Sequence, residues 1–122
     1  MLVLKPTEDK SLIKEYYEKE NIPFSDKSNL LLATDREEVL GFCLFDIDNA
    51  LTVYKIEPMD DIFVLDGVLR STLHVGCERG KTDAFYADIA PEAIFECLGF
   101  VKDKSEKRLD VEKLFKSCCD CK

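Results

Sequence analysis

The chain has 122 residues, of which 46% are hydrophobic and 34% charged, and its formal net charge is −8. This length and composition predict one globular domain and exclude a disordered chain. The acidic balance excludes a general nucleic-acid binder, because binding of phosphates requires a basic face, so we expect no nucleic-acid partner.

The first half of the chain predicts a strand, a helix and then a three-stranded meander. The run "MLVL" indicates a short strand, and Thr7 is a suitable N-cap for the helix after it, with acidic residues in the first turn. The runs "NLLLAT" and "VLGFCLFDI" predict a hairpin in which Gly41 marks a bulge. The run "ALTVYKIE" predicts a third strand, which Pro58 ends.

The second half predicts a long helix, a strand, a short helix and a last strand. Apolar residues recur at spacings of three and four on one face of the long helix, namely Leu65, Val68, Leu69, Leu73 and Cys77. Gly80 ends that helix, "TDAFYADI" predicts a strand, and "PEAIFECLG" predicts a short helix with Pro91 in its first turn. The run "KRLDVEKLF" predicts a last strand, or a strand and a turn. This order predicts an α/β fold with a mixed, mostly antiparallel central sheet and helices on both faces.

The order of elements resembles the GNAT superfamily of acyl-CoA-dependent N-acetyltransferases. The most specific local similarity is "AIFECLGF", which resembles the fourth helix of the family and the strand that follows it. The hairpin "LLLATDREEVLGFCLF" is similar to the second and third strands of the family, and "TVYKIEP" to the fourth. The resemblance implies a single GNAT-like domain over residues 1–122, with a short cysteine-rich tail at about residues 117–122.

The resemblance also implies acetyl-CoA as the cofactor, with its pyrophosphate at the start of the long helix. Members of the family carry a glycine-rich loop there, whereas the matching stretch "MDDIFVLDGVLR" holds one glycine and three aspartates. A carboxylate that caps this helix would occupy the backbone amides that an anion needs. The cofactor-binding residues implied are Ile56, whose backbone N–H would be the oxyanion donor, and Val64, Leu65, Asp66, Gly67, Arg70, Asp88 and Phe95.

The catalytic residues depart from the family at one position. The helix tyrosine that protonates the departing thiolate in many members is replaced by Phe95, which has no proton to donate. Glu57, at the end of the fourth strand, is the candidate base, and the alternative is an ordinary solvated carboxylate. Tyr86 and Tyr54 are candidates to replace the missing acid, and the alternative for both is a half-buried strand residue.

The tail "SCCDCK" suggests a separate chemistry. Cys118, Cys119 and Cys121 place three thiols close together, a density at which thiolates can bind a soft metal such as Zn²⁺. A redox-sensitive tail and a tail without a specific role are the alternatives.

Two main functions therefore stay open. The first is an N-acetyltransferase that moves an acetyl group from acetyl-CoA directly to the amine of a small molecule or a protein. The alternative is a catalytically inactive binding or regulatory module with the same fold, with or without a metal- or redox-responsive cysteine tail. In a third interpretation the tail is the functional part. We expect a cytoplasmic protein without a membrane partner, because no secretory signal or long apolar run is visible. It would be a monomer or a homodimer, since an open sheet leaves a free edge.

Overall fold

The structure is a computed structural model that describes residues 2–58 and 60–114. Its elements in chain order are β1 (Leu2–Pro6), α1 (Lys10–Lys19), β2 (Ser28–Asp35), β3 (Glu38–Ile47), β4 (Leu51–Glu57), α2 (Ile62–Glu78), β5 (Ala84–Tyr86), α3 (Glu92–Leu98), β6 (Val101–Asp103) and β7 (Arg108–Leu109).

The strands form one sheet in the order β1-β2-β3-β4-β5-β7-β6. The β4–β5 pair is parallel and the other neighbouring pairs are antiparallel. This confirms the predicted mixed, mostly antiparallel sheet. In the run "KRLDVEKLF", the alternative of a strand and a turn fits the structure, because β7 is short and a turn follows it. β7 pairs with β6 in a hairpin after α3.

The helices cover both faces of the sheet, as predicted. Side chains alternate along β2, so that Leu31 and Ala33 belong to one apolar core and Leu30 to another. The larger core contains the buried residues of α2 and Phe95 of α3, and we call its side of the sheet the α2 face. The smaller core contains Ile13 of α1, and we call its side the α1 face.

The start of α1 differs from the prediction that Thr7 caps it. Asp9 is the N-cap, and its Oδ1 accepts hydrogen bonds from the backbone N–H groups of Ser11 and Leu12 at 3.1 and 3.2 Å. The backbone N–H of Thr7 instead donates to the carbonyl oxygen of Leu30 at 3.0 Å. Pairing with β2 therefore extends one residue beyond β1, and this moves the helix start to Lys10.

The predicted bulge in the hairpin lies beside Gly41. Ala33 is opposite Gly41 and Thr34 is opposite Val39, so Leu40 is the extra residue in β3. Gly41 is also needed for close packing, because a Cβ atom there would lie 2.5 Å from the carbonyl oxygen of Glu57. The glycine thus lets the start of β3 approach the end of β4.

Candidate active site

A gap opens in the sheet where β4 and β5 separate. Their parallel register runs from Leu51 opposite Ala84 to Val53 opposite Tyr86. The backbone N–H of Ala87 then donates to the carbonyl oxygen of Val53 at 2.9 Å. Beyond this bond β4 continues to its end, whereas the chain after β5 turns away toward α3. The second half of β4 therefore borders a gap rather than a paired strand.

A second bulge sets which backbone groups of β4 face this gap. Tyr54 is an extra residue in β4, because the register with β3 shifts by one residue there. Before the bulge, backbone groups of Leu51 and Val53 bond toward β5. The extra residue moves the next position facing that side from Lys55 to Ile56. We infer from this alternation that the backbone N–H of Ile56 is directed toward the gap.

Phe95 and Tyr86 pack against each other on the α2 face. Phe95 is fully buried and its ring centroid lies 5.1 Å from that of Tyr86, which is 2% exposed. The Tyr86 hydroxyl donates a hydrogen bond to Oε2 of Glu92, at the start of α3, at 2.8 Å. Burial, and then the hydrogen bond and the charge of Glu92, raise the pKa of Tyr86 to about 12. The phenol is therefore protonated at neutral pH, and its hydrogen is donated to Glu92.

Glu57 lies on the other face of the sheet. Its Oε1 is 3.3 Å from Nζ of Lys55, and the same ammonium is 3.6 Å from Oε1 of Glu20, at the end of α1. Tyr54 also belongs to the α1 face, where its hydroxyl donates to Oδ2 of Asp46 at 3.0 Å. The structure therefore places the predicted base Glu57 and the predicted acid Tyr86 on opposite faces of the sheet.

The start of α2 is capped by a carboxylate. Asp61 is the N-cap, and its Oδ1 accepts from the backbone N–H groups of Phe63 and Val64 at 3.2 and 3.3 Å. These are two of the amides that a helix start would otherwise offer to a phosphate. The cap also places a carboxylate where the sequence predicts the pyrophosphate of coenzyme A. This helix start is therefore unfavourable for a polyanion.

Comparison with solved structures identifies the fold. One similar structure is a protein of Desulfovibrio desulfuricans assigned to the GNAT family of acetyltransferases. It is 12% identical, with a TM-score of 0.51 over 70% of this chain and 72% of its own. Another is YhhK of E. coli, assigned as an N-acetyltransferase and solved bound to coenzyme A. It is 15% identical, with a TM-score of 0.53 over 85% of this chain and 94% of its own.

The chain has a GNAT-like fold. Identities this low show the fold alone, and no protein-family model or curated protein matches the sequence. The resemblance in the order of elements is therefore confirmed at the level of the fold. The roles of individual residues stay predictions.

Within this GNAT-like fold, several of the predicted cofactor residues lie inside α2 rather than in the loop before it. Leu65 is fully buried in the larger core. Gly67 faces β1, since a Cβ atom there would lie 3.2 Å from Cδ1 of Leu4. Asp66 accepts a hydrogen bond from Nε of Arg70 at 2.8 Å. Arg70 thus reaches back one turn, where it neutralises Asp66.

Asp88 lies at the other end of the gap, in the turn after β5. Its side chain is 88% exposed, and its Oδ1 lies 3.1 Å from Nζ of Lys107. It stays a predicted cofactor residue without a buried partner among the described residues.

The predicted zinc ligands Cys118, Cys119 and Cys121 lie outside the described residues. Within residues 2–58 and 60–114, no group of three or more potential ligand side chains is arranged to hold a metal ion. No helix in that part of the GNAT-like fold is long and apolar enough to cross a membrane.

Sequence reasoning missed two residues that control the predicted acid and base. Lys55 pairs with Glu57, and the alternation of strand side chains could have suggested it, although the bulge makes their common face harder to read. Glu92 accepts a hydrogen bond from the hydroxyl of Tyr86, but it lies on α3, so only the packing of that helix brings them together. Asp46 is a further ionisable residue that the sequence did not indicate. Its Oδ1 is buried, and no described residue donates a hydrogen bond to it.

Proposed function

We propose that this protein is an N-acetyltransferase that binds acetyl-CoA along β4 at the β4–β5 gap and transfers the acetyl group directly to an amine. The observation that carries the proposal is the separation of the two parallel strands after Val53, immediately before the bulge at Tyr54. The likeness to YhhK supports it, because that structure contains coenzyme A. The acceptor would be a small-molecule amine or an amine of a protein.

The proposed reaction needs a polarised thioester, a neutral amine and a proton for the leaving thiolate. The backbone N–H of Ile56 would donate to the thioester oxygen as negative charge develops there. The amine nitrogen would then form a bond with the acetyl carbon, and the carbon–sulfur bond would break. Glu57 would accept the proton that the amine loses, and Tyr86 would supply a proton to the sulfur.

The positions of Glu57 and Tyr86 suggest how the two reactants would be arranged. Glu57 lies on the α1 face and Tyr86 on the α2 face, so the amine and the thiolate would meet their proton-transfer groups from opposite sides of the sheet. Lys55 would have to release Glu57 in part when the amine binds, since the pair is 3.3 Å apart. Positioning of the two reactants would supply much of the rate.

The acidic cap of α2 would make cofactor binding weak. A charge on Asp61 would repel a nearby phosphate by about 1–4 kcal/mol at about 4 Å, depending on the effective dielectric constant. The amides of Phe63 and Val64 would become available only if the carboxylate moved aside. We therefore expect a weaker affinity for acetyl-CoA than a glycine-rich loop would give.

A calorimetric titration of acetyl-CoA tests the proposal at this helix start. Asp61→Ser keeps a good N-cap but removes the charge, so we expect it to bind acetyl-CoA about tenfold more tightly than wild type, a difference of about 1.4 kcal/mol. Asp9→Ser is the matched control, because it makes the same change at the cap of α1. If neither wild type nor Asp61→Ser binds up to millimolar acetyl-CoA, the proposal is wrong and the inactive module is favoured.

A second experiment tests the base. Acetylation of a set of primary amines would be followed by mass spectrometry of the product, so that the thiols of the protein do not interfere. We expect Glu57→Gln to lower kcat about 100-fold or more, as for loss of a general base. Glu20→Gln is the control, because it removes the other carboxylate that pairs with Lys55. Equal rates for the two variants would exclude Glu57 as the base.

A further inference from the structure

Four large hydrophobic side chains are exposed at the starts of β3 and α2, and Leu40, Ile62 and Phe63 among them line one cavity. Phe63 is 86% exposed, Val39 45%, Ile62 42% and Leu40 36%. Ile62 and Phe63 are the first two residues of α2, and Val39 and Leu40 lie near the start of β3. We call these four residues the Phe63 corner. Their exposure differs from that of the rest of α2, whose apolar face is buried against the sheet.

The two elements of the Phe63 corner border one cavity. It has a volume of about 480 Å³, and its walls include Leu40, Pro58, Ile62 and Phe63. Leu40 is the extra residue of the bulge in β3, and bulges commonly redirect a side chain away from the regular surface of a sheet. The corner is therefore continuous across β3 and α2. Exposed aromatic and aliphatic side chains around a concave site are typical of the centre of a protein interface.

The charges around the Phe63 corner indicate the chemistry of its partner. Glu37 and Glu38 directly precede Val39 in the chain, and Asp60 and Asp61 directly precede Ile62, and all four are exposed. Asp60 and Asp61 also line the cavity itself. Arg36 is the cation next to this acidic group along the chain. A second copy of this chain would bring the same carboxylates and a formal net charge of −8, so the charge disfavours self-association through this corner.

We propose that the Phe63 corner docks a segment of a protein partner that presents apolar side chains flanked by lysine or arginine. The apolar side chains of the partner would enter the cavity beside Phe63, and its cations would face the carboxylates at the rim. Complementary charge of this kind selects the partner and speeds association, while the buried apolar contacts supply most of the affinity. This surface overlaps the helix start proposed for acetyl-CoA, because Asp61 and Phe63 belong to both. The peptide titration below contains no acetyl-CoA, so its failure can be told apart from a failure of the proposed function.

Two synthetic decapeptides test this docking surface with the full chain. Both contain four apolar residues, either leucine or phenylalanine, at the same positions. One peptide has lysines at the positions between them, and the other has glutamates there. Titration followed by NMR should show at least about tenfold tighter binding of the lysine peptide, with shifts centred on Leu40, Ile62 and Phe63. Phe63→Ser should weaken that binding about tenfold, and Asp60→Asn should reduce the preference for lysine.

Ile89→Ser is the matched control, because Ile89 is 66% exposed in the turn before α3 and is not among the residues that line the cavity. It should leave peptide binding unchanged, and thermal melts should show that both serine variants fold as wild type does. Three outcomes would overturn the proposal. They are equal binding of the two peptides, no binding of either at millimolar concentration, and self-association of wild type that Phe63→Ser abolishes, which would assign the corner to a second copy.

Discussion

The two faces of β4 differ in what they hold. On the α2 face, Val53 and Ile56 are fully buried in a core that also contains Phe95. On the α1 face, Tyr54 and Glu57 direct polar groups to ionisable side chains. The bulge at Tyr54 produces this division. It keeps the consecutive residues Tyr54 and Lys55 on the α1 face, and Ile56 then lies on the α2 face, as Val53 does. Apolar packing and ionisable side chains are thus separated within one short strand.

The largest effect on stability is expected when a buried side chain of the α2 face is removed. Phe95→Ala should lower the free energy of unfolding by about 3–5 kcal/mol, because the site is fully buried and a cavity would remain. Urea denaturation measures the loss. Phe63→Ala is the control, since this ring is 86% exposed and its removal should change stability by about 0.5 kcal/mol or less. A small loss in Phe95→Ala would show that the ring is not part of the core.

A smaller effect is expected from the buried polar contact on the α1 face. The hydroxyl of Tyr17 lies 2.9 Å from the carbonyl oxygen of Phe45 and 3.0 Å from that of Asn29. Tyr17→Phe should destabilise the protein by about 1–3 kcal/mol, because buried backbone groups lose their partner. The comparison variant is Tyr16→Phe, which also removes a tyrosine hydroxyl on α1. The ring of Tyr16 packs edge-to-face against Phe42. Equal losses in the two variants would contradict the assignment of a buried hydrogen bond.

The ion pairs on the α1 face should contribute less. Lys55 is 34% exposed and lies between Glu20 and Glu57. Lys55→Met should cost less than about 1 kcal/mol in urea denaturation, and the cost should shrink as salt is raised to about 1 M. Lys14→Met, which breaks a more exposed pair with Glu18 at 3.9 Å, should cost less still. A loss that salt does not change would indicate that the Lys55 stem contributes by packing.

The smallest expected effect is a pH dependence at Asp46. Burial, which outweighs the hydrogen bond from Tyr54, raises the pKa of this carboxyl in the folded state. The folded protein therefore binds the proton more tightly than the unfolded chain does. The stability that this group contributes is present at acidic pH and is lost as pH rises from about 4 through the raised pKa.

Asp46→Asn removes this titration and keeps an oxygen that can accept from Tyr54. Thermal melts between about pH 4 and pH 7 should show Tm of wild type falling relative to Tm of the variant as pH rises. Parallel curves would mean that Asp46 has the same pKa in the folded and unfolded states.

The order of elements could be predicted because each one depends on neighbouring residues. Helical spacing gave α2, and the stop at Gly80 is confirmed by its φ of +79° beyond the helix. Gly99 ends α3 in the left-handed region in the same way. These positions are local, so one stretch of sequence contains their cause.

The arrangement of the candidate site depends on contacts between distant segments, and the sequence could not give it. The bulge at Tyr54 is defined by the register with β3, and that register decides that Glu57 and Tyr86 lie on different faces. Asp61 rather than Asp66 acts on the helix start, because α2 begins at Ile62. The burial of Phe95 follows from how α3 packs, which helical spacing alone does not determine.

The short parallel pairing of β4 with β5 also has a consequence for the order in which the molecule folds. The strands β1 to β4 are joined by short connections or by α1, so they can pair soon after they are synthesised. Leu51 and Ala84 are paired although all of α2 lies between them, and such distant contacts form slowly. We therefore expect the N-terminal meander to pair before β5 joins the sheet. The gap between β4 and β5 would then form last, when β5 and the β6–β7 hairpin join the sheet of β1 to β4.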